Sequence, residues 1–295
     1  MTLPTSLKTA VLLLFAVYSA GAGLIPPRLG CFLDGAGRLQ PITGVAGNFL
    51  LASAEQPPGQ SQYLSVVCFG AVTLIQTNDS IEWRQGTTVR SWPAPAGAAV
   101  LGYSRSGAYA FACFAASGMC AQIDANGNLT EVAGWNEPSS QTLGIASQSP
   151  GQVSLLVRQD DTLALVSLDG GGVTARTELE GIGSPALLAP DGTLVYTEGS
   201  NPMRVLHNNR LSAPGVERSR SRNQILIRNI WDSQPCPQRS AGGCQPKQIE
   251  LPAPATALAL LGRGWVSIAL ANGRRLALQP ASSQPILYEL PEVTQ

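Results

Sequence analysis

Residues 183–206, GSPALLAPDGTLVYTEGSNPMRVL, decide how this chain is read. A short apolar run (185–189) meets Pro190-Asp191-Gly192, and a second apolar run (193–197) leaves it; another turn and a third strand follow. Asp-Gly between two such runs signals a hairpin, because glycine accepts the positive φ that a tight turn imposes. The same layout returns along the chain. An apolar strand, a turn ending in glycine and a second apolar strand recur at Gly107, Gly151, Gly192 and Gly264, spaced 44, 41 and 72 residues apart. The last step is about twice a short unit, so a hidden turn is expected at Asn223, asparagine being the next best residue for a left-handed position. Gly59, ahead of YLSVVCF, supplies a sixth turn.

Short strands in a repeat of this length predict an all-β chain folded as a β-propeller. A lone four-stranded sheet leaves both faces wet, whereas packing sheet on sheet buries them. Six blades are expected. Seven is the alternative if the surplus hairpin over 31–42 forms a partial blade. A β-sandwich is the competing architecture at this strand spacing. The run PALLAPDGTLVYTE resembles the inner hairpin of TolB-like and related secreted propeller repeats, where Pro-Asp-Gly joins the two inner strands. The resemblance is clear in one unit and rests on layout in the others. It implies a fold and no activity.

Composition sets bounds on function. Charged residues make up 13% of the chain, about half the usual ~25%, yet 44% is hydrophobic, which is enough to fold. The formal net charge is zero. No basic excess is available to neutralise phosphates, so no nucleic-acid partner is expected. At the N-terminus, Lys8, the apolar run 10–17 and Ala20-Gly21-Ala22 form the three parts of a cleavable signal peptide over 1–22. The apolar run is well short of the ~20 residues that span a bilayer, so no membrane insertion is expected after cleavage. A single propeller domain over 28–295, secreted or periplasmic, is the expected mature protein.

Export gives meaning to the six cysteines, since an even count in an oxidising compartment suggests bridges. Cys113 and Cys120 flank the turn FAASGM, and Cys236 and Cys244 bracket a Pro/Gly/Ser loop, so both are expected as local pairs. Cys31 with Cys68 then ties the N-terminal hairpin to the body. No C-x-x-C occurs, so zinc and thiol-redox chemistry lack their usual spacing.

Chemistry-bearing groups are few. His207 is the single histidine, and no G-x-S-x-G elbow accompanies it. Asp34, Asp124, Asp169 and Asp191 precede glycine-containing turns, where turns ordinarily want them. Asp124-x-Asn126-x-Asn128 has the opening spacing of a calcium loop but lacks its glycine and distant acid, and an Asn-Gly hairpin explains the same letters. No catalytic residue, metal or cofactor is therefore assigned. The densest positive spot is the alternating Arg218, Arg220 and Arg222, with Trp231 nearby in the same irregular stretch. Arginine and tryptophan are enriched at binding hot spots. The expected protein is thus a secreted, monomeric, non-catalytic propeller that binds a protein or glycan partner, or acts as a scaffold, through those residues. The alternative is a propeller enzyme, a polysaccharide lyase or glycoside hydrolase, with arginine and carboxylate groups converging on the axis.

Overall fold

Every regular element among the described residues is a β-strand, and most of the turns between them hold a glycine at positive φ. The computed structural model describes residues 27–291 apart from 58, 60, 115, 135–140, 180, 199–222, 231–246, 263 and 281–283. The first sheet holds β1 (Arg28–Leu33), β2 (Leu39–Val45) and β3 (Asn48–Leu51). The second holds β4 (Tyr63–Phe69), β5 (Val72–Thr77), β6 (Ser80–Gln85) and β7 (Thr88–Pro93). The third holds β8 (Ala99–Tyr103), β9 (Tyr109–Phe114), β10 (Met119–Asp124) and β11 (Leu129–Gly134). Next come β12 (Gln141–Ala146), β13 (Val153–Gln159), β14 (Thr162–Asp169) and β15 (Gly172–Leu179). They are followed by β16 (Ile182–Leu188), β17 (Thr193–Glu198), β18 (Gln224–Asn229) and β19 (Lys247–Glu250). The last sheet is β20 (Ala255–Gly262), β21 (Trp265–Leu270), β22 (Arg275–Gln279) and β23 (Ile286–Glu289).

Pairing within each unit is an antiparallel meander, and the units are arranged as a β-propeller. The first strands β1, β4, β8, β12, β16 and β20 touch one another in that cyclic order, β20 returning to β1. The expected count of separate blades is not what the hydrogen bonds give. Among the described residues there are five sheets, because one parallel pair, Gly144 with Leu188, joins β12–β15 and β16–β19 into an eight-stranded sheet. The first sheet has three strands rather than four.

Two of the expected inner turns also move. Gly59 precedes β4 and closes no inner hairpin; in that unit the turn joining the first two strands is at Gly70, φ 56°. Asn223 directly precedes β18, which is the third strand of its unit, so among the described residues the long step between Gly192 and Gly264 contains no additional inner hairpin. The third strand expected near 203–206 lies outside the described residues, and β17 takes β18 as its partner instead. The physical reason is common to both cases. Turn residues mark where a chain reverses and do not say which pair of strands they join. The N-terminal hairpin over 31–42 is the inner hairpin of the first unit, turning at Gly37.

The core lies between sheets. Val67, Phe69 and Leu74 of the second unit pack with Ala99, Leu101 and Phe114 of the third, and equivalent clusters join the later neighbours. First and last units meet through Phe32, Ile42 and Phe49 against Leu261, Trp265 and Ala277. No strand is exchanged across this seam among the described residues. Aromatic edges close it instead, with Phe49 centroids 5.6 Å from Trp265 and 5.7 Å from Tyr288. Trp83 and Trp265 are both buried, as their strand positions imply.

Close approach of the inner strands depends on missing side chains. A Cβ on Gly30 would stand 2.5 Å from the Leu261 carbonyl carbon and nearer still to its oxygen. A Cβ on Gly262 would meet the Cys68 carbonyl and lie 3.2 Å from the Gly30 Cα. On Gly102 it would be 2.8 Å from the Ile145 Cβ, and on Gly144 2.7 Å from the Leu188 amide nitrogen. Glycine thus sits where one inner strand crosses the next.

Two of the three expected disulfides are present: Cys31–Cys68, joining β1 to β4, and Cys113–Cys120, directly opposite across β9 and β10. Their Cα atoms are 5.6 and 4.1 Å apart. Cys236 and Cys244 lie outside the described residues. Bridges of this kind suit an oxidising environment. The signal peptide expected over 1–22 likewise lies outside the described residues.

The aspartates do turn work. Asp34 Oδ1 accepts the amides of Ala36 and Arg38 at 2.9 Å each, and its Oδ2 receives Arg38 Nε at 2.7 Å. Burial pushes this carboxyl up. The Arg38 amide and guanidinium, with the Ala36 amide, outweigh it and hold the group below the ordinary carboxylate range. A depressed folded-state value stabilises the fold at pH above the unfolded value of ~3.9, and that contribution is lost as pH falls through the folded value. Asp34→Asn should therefore cost about 1–3 kcal/mol at neutral pH and flatten the acid limb of the unfolding curve. Guanidinium melts between pH 3 and pH 7 check both.

Candidate functional site

The inner strands, with Ser267, Ala269 and Arg275 of the last sheet, line an open cavity of about 370 Å³ at the propeller axis. Alternation along each strand sends successive side chains to the two sheet faces, towards the neighbouring units, and the innermost strand of each unit borders the axis with residues of both faces. β4 and β8 contribute Val66 and Val100, β12 contributes Leu143, and β20 contributes Ala257 to Leu260. At the hairpin-turn end the axis is bridged. Phe69 and Tyr103 stack there with centroids 5.0 Å apart, and the Gly264 amide donates to Tyr103 Oη at 3.2 Å. Both rings are buried. The cavity lies along the inner strands on the other side of that plug.

The lining is apolar with three polar exceptions, Ser65, Ser267 and Arg275. Ser65 Oγ is already engaged, donating to Gln76 Oε1 at 3.2 Å. Arg275, on β22, places its guanidinium 4.6 Å from the centre of the Phe32 ring. Among the described lining residues there is no carboxylate. Of the arginine-carboxylate pair of the enzymatic alternative, the described lining holds an arginine, at the seam between the last and first units, and no acid.

Several other acidic and basic groups are engaged elsewhere. Glu82 pairs with Arg84 at 2.6 Å, and Arg84 lies over the Tyr63 ring. Both oxygens of Asp124 are used within its own turn: Oδ1 accepts the amides of Asn126 and Asn128, and Oδ2 accepts Asn128 Nδ2, each at 2.8 Å. That arrangement is an Asx turn, the hairpin explanation of the calcium-like spacing. No group of three or more metal-ligating side chains occurs among the described residues.

Arg218, Arg220, Arg222 and Trp231, the residues singled out for partner binding, lie outside the described residues, as do His207 and Trp135. Trp92 lies on β7 and packs partly buried against the core between the second and third units. The axial residues were missed by sequence reasoning. Their one advance signal is the run of small residues on alternate positions of the last unit, Ala257 and Ala259, in a strand that is otherwise leucine-rich.

No protein-family model matches the chain, and no curated protein sequence matches it. Solved structures do resemble it. The chain shares 11% identity with a protein in a nidogen/laminin complex, covering 88% of this chain and 92% of that one, with a TM-score of 0.54. It shares 14% identity with a virginiamycin B lyase from Staphylococcus aureus over 92% of this chain and 86% of that one, TM-score 0.46. A Kluyveromyces lactis Hsv2 structure follows at 12% identity, covering 78% and 63%, TM-score 0.40. At such identities likeness speaks for the fold alone, and the fold is the propeller.

Proposed function

We propose that this propeller is an extracytoplasmic, non-catalytic binding module that holds a protein or glycan partner. The observation that carries the proposal is the axis. Propeller enzymes of the lyase or glycosidase kind need paired acid and base groups within reach of one substrate, and the described axial lining offers one arginine among apolar and small side chains. The bridged, glycine-packed ring gives a rigid frame, and rigid frames carry specificity on their connecting loops. The stretches between β17 and β18 and between β18 and β19 are the longest in sequence between consecutive described strands, and they contain Arg218, Arg220, Arg222 and Trp231. They are proposed as the partner contact, with the protein monomeric and located in the secreted or periplasmic fraction. The repeats are proposed as kin to TolB-like repeats on the strength of PALLAPDGTLVYTE.

The test is capture from the native extracytoplasmic fraction with wild type and with Arg220→Ala/Trp231→Ala. Hot-spot truncations cost ~2 kcal/mol or more, so the double variant should lose most of the captured partner. Equal recovery with both proteins would place the contact elsewhere.

A further inference from the structure

We propose that the axial cavity is a binding site for a small amphipathic monoanion, its apolar body along the axis and its carboxylate-type head on Arg275. This inference goes beyond the partner-binding reading and does not rest on it. It starts from the shape of the last sheet. Register pairs Ala257 with Ala269, Ala259 with Ser267, and Ala269 with Arg275, so these residues share one face. The opposite face carries Leu258, Val266 and Ile268, which pack against the preceding unit. On the face turned to the first unit, Trp265, Ala277 and Phe32 fill the upper part of the seam. Below them the side chains are small, and the axial cavity takes in that space. Ala257 and Ala259 are exposed although they lie within an inner strand.

Arg275 then stands out against its neighbour. Arg274 is satisfied, forking onto Glu289 with Nε and Nη2 each 2.6 Å from a carboxylate oxygen. Arg275 has no carboxylate partner among the described residues and lies over Phe32, partly buried at the wall of an apolar hollow. A cation so placed interacts more strongly with an incoming anion than one in bulk water, because the local dielectric is lower. The rest of the cavity rewards apolar surface. A sugar is a poor fit, since with Ser65 engaged the described lining offers its many hydroxyls only Ser267 and Arg275. The volume lies within the range of small-ligand pockets.

The experiment uses the mature protein and dodecanoate below its micellar concentration, with dodecanol as the uncharged probe, read by calorimetry or displacement of a fluorescent apolar dye. Dodecanoate should bind saturably and about tenfold more tightly than dodecanol, the margin expected of a charge-assisted hydrogen bond. Arg275→Met should remove that margin and leave dodecanol unchanged; Arg275→Lys should keep part of it. Ala259→Leu, which fills the hollow, should weaken both probes at least tenfold. Thermal melts establish that each variant is folded, and the Ala259 and Lys variants carry the test should the Met variant not fold. Non-saturable binding to the folded wild type would overturn the proposal, as would equal affinity for the two probes or indifference to Ala259→Leu. Partner capture should be the same for Arg275→Met and wild type, so this proposal and the partner reading fail separately.

Discussion

Gly30→Val is expected to destabilise the protein by about 4 kcal/mol or more, enough to abolish folding at 37 °C. Gly30 has an ordinary strand conformation, so backbone strain is not the cause. The cause is the Leu261 carbonyl, which occupies the position a Cβ would need, with Gly262 behind it. Backbone atoms of two hydrogen-bonded sheets cannot yield as a flexible side chain can, and valine adds two methyl groups beyond the Cβ. The common range for overpacking is ~1–3 kcal/mol; this site should exceed it because β1 and β20 are where the ring returns on itself. Gly35 is the control within the same unit. Nothing lies within 4 Å of a Cβ there, so Gly35→Ala should change stability by less than about 0.5 kcal/mol. Denaturant melts of the two variants side by side give the result. Similar stabilities would mean that the inner strands stand farther apart than described.

Loss of the Cys31–Cys68 bridge should have the next largest effect. It closes a loop of sequence separation 37, against 7 for Cys113–Cys120. Loop-closure entropy in the unfolded chain then favours the first by about 4 kcal/mol and the second by about 2 kcal/mol. Its position adds a second reason. Cys31 and Cys68 lie on adjacent inner strands, and with Leu39, Tyr63 and Ile75 they form the core between the first two units. The short bridge links strands that the β9–β10 ladder already pairs. Cys31→Ala/Cys68→Ala and Cys113→Ala/Cys120→Ala, unfolded in guanidinium without reductant, should therefore differ by about 1–2 kcal/mol in the stated order. The reverse order would indicate that the first unit is held chiefly by its aromatic seam with the last.

Strand alternation, the Asp and Gly turns and the Cys113–Cys120 pair are properties of a few consecutive residues, so they could be read directly. Pro190-Asp191-Gly192 shows this well. It joins β16 to β17, and Asp191 Oδ1 accepts the Thr193 amide at 3.0 Å, a contact made entirely within the turn. Gly59 and Asn223 show the limit, because a turn residue carries no mark of its place in a sheet. Choosing Gly70 over Gly59 required knowing that β4, and no earlier segment, lies beside β1 and β8. The same holds for the site. Ala257, Ala259 and Ser267 gain their place in the cavity wall only once β1 and β20 close the ring, and Arg275 lies more than 240 residues from the Phe32 ring that it covers. By itself the sequence determined that the chain would be an all-β repeat pinned by disulfides, since backbone preference and turn chemistry act locally. The tertiary structure alone decided which hairpins face the axis, which glycines let the ring close, and that the axis holds an apolar hollow beside a lone arginine. Those outcomes depend on contacts between residues far apart in the chain.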